Sequence, residues 1–119
     1  MSKVVLITGA SSGIGRATAI WLTQQGYVVY AGTRKPDSFN FTLDNLIPVA
    51  LDITDPESIS AVVDVIQQHH DSIDILINNA GYALVSTVEH ATEEEMFNQF
   101  NINVFGILRV TKAVIPLMR

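Results

Sequence analysis

TGASSGIG, Thr8 to Gly15, stands between the apolar run Val4-Val5-Leu6-Ile7 and a helix-like run from Arg16 to Gln25. A strand that ends at Gly9, turns through Ala10, Ser11 and Ser12 and enters a helix at Gly13 aims backbone N–H groups outward. The unpaired donors of a first helical turn and the helix dipole both favour negative charge, so such a turn suits a phosphate. Gly9 permits the tight turn, Gly13 lets the backbone approach a diphosphate, and Gly15 allows helix and strand to pack closely. The spacing is G-x-x-x-G-x-G rather than G-x-G-x-x-G, and no Lys-Ser/Thr follows, as a P-loop would need. A plain glycine-rich turn would share these glycines. The strand before and the helix after favour the phosphate reading.

The surrounding composition narrows the class. At 119 residues the chain fits one domain, residues 1–119, able to bury a real core. Hydrophobic residues are 48% and charged ones 16%, which argues for a packed α/β core and against disorder. No uninterrupted apolar run approaches the roughly 18 residues of a bilayer span, and MSKVVLITGA lacks the pattern of a signal peptide. The absence of cysteine excludes disulfides and thiolate metal sites. A net charge of −5 disfavours a nucleic-acid backbone as partner. The expectation is a soluble, cytoplasmic domain with no membrane segment.

Along the chain the hydrophobic period alternates between strand and helix. Lys3 to Ile7 reads as a strand covered on both faces. Gly13 to Gln25 reads as a helix with Ile14, Ala17 and Trp21 along one face and Gly26 at its end. Val28 to Gly32 is the next strand, and TRKPDSFNFTLDNL an irregular connector. Val49 to Leu51 is a third strand. Asp55 and Pro56 open a helix carrying Ile59, Val62, Val63 and Ile66 at i, i+3, i+4 and i+7. Ile73 to Ile77 is a fourth strand, and Thr92 with Glu95 forms a capping box for a further helix. Strand alternating with helix predicts right-handed crossovers and a parallel sheet. Val104 to Met118 is apolar nearly all round, so a helix there needs cover on more than one side.

The end of the second strand should read a nucleotide's ribose. An acidic residue would suit the free 2′-hydroxyl of NAD and repel the extra phosphate of NADP. Thr33 holds that place here, followed by Arg34 and Lys35. A guanidinium suits a 2′-phosphate through charge-assisted bonds, which favours NADP(H) over NAD(H). Two cations decorating an exposed loop would give the same letters.

TGASSGIG, LDITD at Leu51 to Asp55, NNAG at Asn78 to Gly81 and NINVFG at Asn101 to Gly106 stand in the order and setting of the short-chain dehydrogenase/reductase family, which the whole chain resembles. The resemblance implies a Rossmann-like three-layer α/β fold with strand order 3-2-1-4 for the part present. It also implies roles. Asp52 would accept from the adenine amino group, with the Ile53 backbone against the ring; Asp52 as a turn cap is the simpler alternative. Asn79, Ala80 and Gly81 would form the turn that lies against the cofactor and braces the sheet. Ser12 and Ile14 would meet the diphosphate through polar or backbone groups. Asn103 would interrupt a helix and hold a water of the family's proton relay, although a helix-junction asparagine needs no such role.

Members of this family transfer hydride between a nicotinamide and a carbonyl or alcohol carbon of a small-molecule substrate, with a Tyr as acid/base and a Lys four residues on. The three tyrosines, Tyr27, Tyr30 and Tyr82, are followed four residues later by Ala31, Arg34 and Ser86. The chain therefore resembles the cofactor-binding N-terminal half, expected to bind but not to turn over. A binding or oligomerising module of the same fold is the alternative, and a methyltransferase-like domain a third, disfavoured by Arg34. His69, His70 and His90 have no acidic partner at ligand spacing, and no metal site is assigned. With later strands absent, the edge of the fourth strand and the doubly apolar last helix predict a homo-oligomer.

Overall fold

The computed structural model describes residues 2–38, 43–81 and 86–119; the connector residues 39–42 and Tyr82 lie outside that description. Strands β1 (Val4–Ile7), β2 (Val28–Thr33), β3 (Leu46–Ala50) and β4 (Ile75–Ile77) form one parallel sheet in the order β3-β2-β1-β4. Helix α1 (Gly13–Gln24) joins β1 to β2 and α2 (Pro56–Gln67) joins β3 to β4, while α3 (Glu93–Phe100) continues through a wide π-helical turn, Asn101–Gly106, into α4 (Ile107–Met118). The Rossmann-like order expected from the motifs is the observed one.

Alternation along β1 explains the three layers. Val4 and Leu6 face Tyr30, Ile59, Val62, Ile66, Val110 and Val114, so α2 and α4 cover that side. Val5 and Ile7 face Ala19, Leu22, Val29 and Ala31, which puts α1 on the other. A strand buried on both faces has no polar position to spare, hence the unbroken VVLI. Asp55 caps α2 by accepting from the Glu57 amide at 3.0 Å, and the Thr92–Glu95 box closes reciprocally at 3.1 Å in each direction.

Several expectations need correction. The buried face of α1 is Gly15, Ala19 and Leu22, whereas Ile14 and Trp21 are 80% and 57% exposed. Small residues bring this helix close to the sheet, so its largest apolar residues turn outward. β3 begins at Leu46 rather than Val49 and runs through Pro48. It lies at the sheet edge, where the missing proline N–H forfeits no ladder bond. β4 begins at Ile75 rather than Ile73. Asp74 Oδ2 takes the Val4 amide at 2.7 Å, a side chain standing in for strand backbone, while Ile73 is buried beneath.

The final helix is covered on one side only. Val110, Val114 and Leu117 enter the core, while Val104, Phe105, Leu108, Ile115 and Met118 stay exposed. Because α3, the π turn and α4 are continuous, residues Glu93–Met118 make a 26-residue helix that is long and apolar enough to cross a membrane by length and composition. Counting uninterrupted apolar residues did not anticipate this, since Arg109 and Lys112 punctuate the stretch. In the fold, its inner stripe packs on the sheet.

Candidate functional site

At the C-terminal ends of the strands a cleft of about 830 Å³ opens, the usual ligand position in an open parallel sheet. Its lining joins five segments far apart in sequence. Gly9, Ser11 and Ser12 come from the glycine turn, Thr33 and Arg34 from the end of β2, and Leu51 to Thr54 from the end of β3. Asn79 to Gly81 and the helix residues Asn98, Asn101 and Ile102 complete it.

The glycine turn is shaped by close contacts. Gly9 has φ +66°, and a Cβ there would fall 2.7 Å from Ala80 Cα. Gly15 lies under the turn, where a Cβ would meet Gly9 O at 2.3 Å and Asn79 Nδ2 at 2.4 Å. Gly13, with φ +59°, has open space beside it. The N-cap of α1, Ser12, makes no side-chain hydrogen bond to the first turn, so the donors a cap would take are left for a ligand. Gly13, Ile14 and Gly15 are not part of the cleft lining. Gly13 and Ile14 start α1 beside it, and Gly15 supports it from below.

A second turn is clamped to the first. The Thr8 hydroxyl, buried at the end of β1, accepts from the amides of Asn79 and Ala80 at 3.0 and 2.9 Å. Asn79 Nδ2 donates to Gly9 O at 3.0 Å. These bonds fix NNAG against the glycine turn across about seventy residues of chain. Thr8 was missed in the sequence, where a polar residue ending an apolar strand was its one signal.

At the other end, Thr33 is buried and its Oγ1 accepts from the Lys35 amide at 3.2 Å, forming a local turn. That turn leaves Arg34 exposed on the cleft wall. Opposite stands Asp52, whose Oδ1 accepts from the Thr54 hydroxyl at 2.7 Å and the Thr54 amide at 2.9 Å. The Thr54 hydroxyl and then the Thr54 amide hold the Asp52 carboxyl below its ordinary 3.8; burial opposes them, and the Arg34 charge, a lesser effect than burial, adds to the lowering. Asp52 thus does cap its own turn, through Oδ1.

A depressed pKa in the folded chain means the carboxylate stabilises above its unfolded value of 3.8, and that contribution fades as pH falls through the lower folded value. Asp52→Asn is expected to melt at a lower temperature than the wild type at neutral pH, with the gap closing below 3.8. Paired thermal melts from neutral to acid check this. A gap that persists unchanged into acid would remove the carboxylate from the account.

Asn103 lies in the π turn beside the cleft, not in its lining. A Cβ on Gly81 would come within 2.8 Å of Asn103 Oδ1, so the NNAG turn abuts it. The expected interruption of the helix at Asn103 is this wide turn. Asn98, Asn101 and Arg109 were also missed. Arg109 donates to Asn101 O at 3.2 Å, to Ile53 O at 3.3 Å and to Asn101 Oδ1. A cation in an otherwise apolar segment was its signal.

Comparison with known proteins agrees with this geometry. The family model for short chain dehydrogenase matches residues 3–119. A 3-ketodihydrosphingosine reductase of Bacteroides thetaiotaomicron is 41% identical over 117 residues, covering 98% of this chain and 42% of the relative. The crystal structure of a short-chain dehydrogenase from Streptomyces avermitilis superposes with a TM-score of 0.93 at 36% identity, covering all of this chain and 45% of that one. The NADP-bound structure of ElxO superposes at 0.87 with 28% identity, covering 99% and 51%. The chain thus spans about half the length of the proteins it matches. With a family match over nearly its entire length, this chain belongs to the short-chain dehydrogenase family and corresponds to its N-terminal half.

Proposed function

We propose that this chain binds NADP(H), in preference to NAD(H), as the cofactor half of an oxidoreductase acting on a ketone or secondary alcohol. The observation that carries the reading is the convergence of the glycine turn, Arg34 and Asp52 on one cleft. The donor set fits a dinucleotide at each point. The helix start at Ser12 to Gly15 offers backbone amides to the diphosphate. Arg34, planar and permanently charged, reaches the place of a 2′-phosphate. Asp52 Oδ2 and the Ile53 backbone suit the adenine. Asn79, Ala80 and Gly81 form the turn along the remaining side of the cleft, next to Asn103. The NADP bound by ElxO, a neighbour at a TM-score of 0.87, supports the same cofactor class here.

Bound nicotinamide supplies hydride exchange with a carbonyl carbon. The residues of this chain bind, orient and, at Asn103, hold a water; none is an acid/base of the Tyr-x-x-x-Lys kind. Positioning alone lacks the roughly hundredfold or larger factor of general acid/base catalysis. Calorimetric titration should show NADP⁺ binding more tightly than NAD⁺, and heat from neither would end the proposal. NADPH oxidation with a ketone panel should show no steady turnover by the 119-residue polypeptide. Sustained turnover would overturn the binding-only reading while leaving the cofactor assignment intact.

A further inference from the structure

We infer that Arg109 is a positioning residue that sets the width of the cleft between the turn after β3 and the wide turn joining α3 to α4. The inference rests on the cofactor reading above, since that part of the cleft is where the adenosine would lie. Arg109 sits eight residues after Asn101, and helical side chains lean toward the N-terminus. The π turn between them holds more residues per turn than an α-helix, which returns Arg109 to the face of Asn101 two turns on. There it donates to the Asn101 carbonyl and side chain and, across to the other segment, to the Ile53 carbonyl.

Ile53 and Asn101 both line the cleft, so the splint joins two of its walls. A side-chain contact reinforces it, because a Cβ on Gly106 would come within 2.6 Å of Ile53 Cδ1. The three acceptors are neutral oxygens, and Arg109 is half-buried, so its charge serves to hold these segments rather than to neutralise an acid. Charge-assisted bonds are about twice as strong as neutral ones. One fork of five donors in a fixed plane can serve acceptors on both segments, which a lysine point charge does less well. Asn103 lies in the same π turn, so the splint also relates the Asp52 side of the cleft to the relay asparagine.

The test compares Arg109→Met, which keeps the aliphatic stem, and Arg109→Lys with the wild-type 119-residue chain. Hydrogen exchange without ligand should rise about tenfold, the size of a lost hydrogen bond, at Thr54 and across the π turn in the Met variant, and stay unchanged at Thr8 to Gly15. Affinity for NADP⁺ and for adenosine 2′,5′-bisphosphate should fall by the same factor of about ten, with Lys recovering part of it. Unchanged exchange at Thr54 and the π turn would overturn the splint. So would a bisphosphate affinity equal to wild type, or faster exchange that also reaches the glycine turn, which marks general loosening. If the wild-type chain binds neither nucleotide, the cofactor reading falls, and the exchange arm still decides whether Arg109 ties the two segments.

Discussion

Gly15→Ala is expected to destabilise the chain by about 3 kcal/mol and to lower its melting temperature by about 10 °C. The reason is contact, not conformational freedom. The new methyl would lie 2.3 Å from the Gly9 carbonyl oxygen and 2.4 Å from Asn79 Nδ2, and both belong to segments already held. Asn79 is tied to the Gly9 carbonyl and, through its amide, to Thr8; Gly9 itself is pressed against Ala80. The nearer contact is backbone, and the Asn79 amide could swing aside only by giving up its bond to the Gly9 carbonyl. A domain of this size has a total stability on the order of 10 kcal/mol, so the loss is a large share of it.

Gly13→Ala separates folding from binding at the same turn. Its φ of +59° costs an alanine about 1 kcal/mol, yet nothing lies within 4 Å of the added Cβ. That variant should fold with a modestly lower melting temperature and, if the diphosphate sits at the start of α1 as proposed, lose affinity for NADP⁺. Denaturant melts and calorimetry on both variants give the comparison. A Gly15→Ala chain as stable as wild type would mean that helix and turn can part freely, and the clamped geometry would be wrong. A Gly13→Ala chain binding as tightly as wild type would move the diphosphate elsewhere.

How much of this was readable beforehand depends on how local each signal is. The alternation of VVLI with a helix, the Asp55-Pro56 start and the Thr92–Glu95 box are short-range patterns, and the structure follows them. The buried face of α1 departs from the hydrophobic periodicity because the closest packing falls on Gly15 and Ala19, residues that carry almost no hydrophobic weight in a periodicity. The early start of β3 was hidden by Pro48, which is harmless only because the strand is at an edge, a tertiary fact. The cleft shows the same divide. Gly9, Arg34 and Asp52 were legible from motif and position, whereas the Thr8–Asn79 clamp and the Arg109 splint join segments about seventy and fifty-six residues apart. Nothing in a local window announces such bonds. The rotation that lets Arg109 reach back comes from a π turn, whose irregular period no helical template matches.

Arg34→Ala is expected to weaken NADP⁺ binding about a hundredfold and NAD⁺ binding by less than about threefold. The buried Thr33 offers the ribose no carboxylate, and its hydroxyl is engaged by the Lys35 amide. Under the proposed NADP(H) preference, discrimination between the two cofactors would therefore fall to the next residue on the cleft wall, Arg34. A guanidinium facing a doubly charged phosphate contributes on the order of 2–3 kcal/mol when bidentate, and nothing comparable toward a hydroxyl. Arg34 also lies near enough to Asp52 to favour its ionised form, the smallest of the effects on that carboxyl. Arg34 is exposed, so its attraction for a phosphate is screened by salt. Wild-type affinity for NADP⁺ should fall with ionic strength more steeply than that of Arg34→Ala. Equal losses for both cofactors would place Arg34 at the diphosphate or the adenine instead. No loss for either would return it to the role of a solvated loop cation and leave the preference without a carrier.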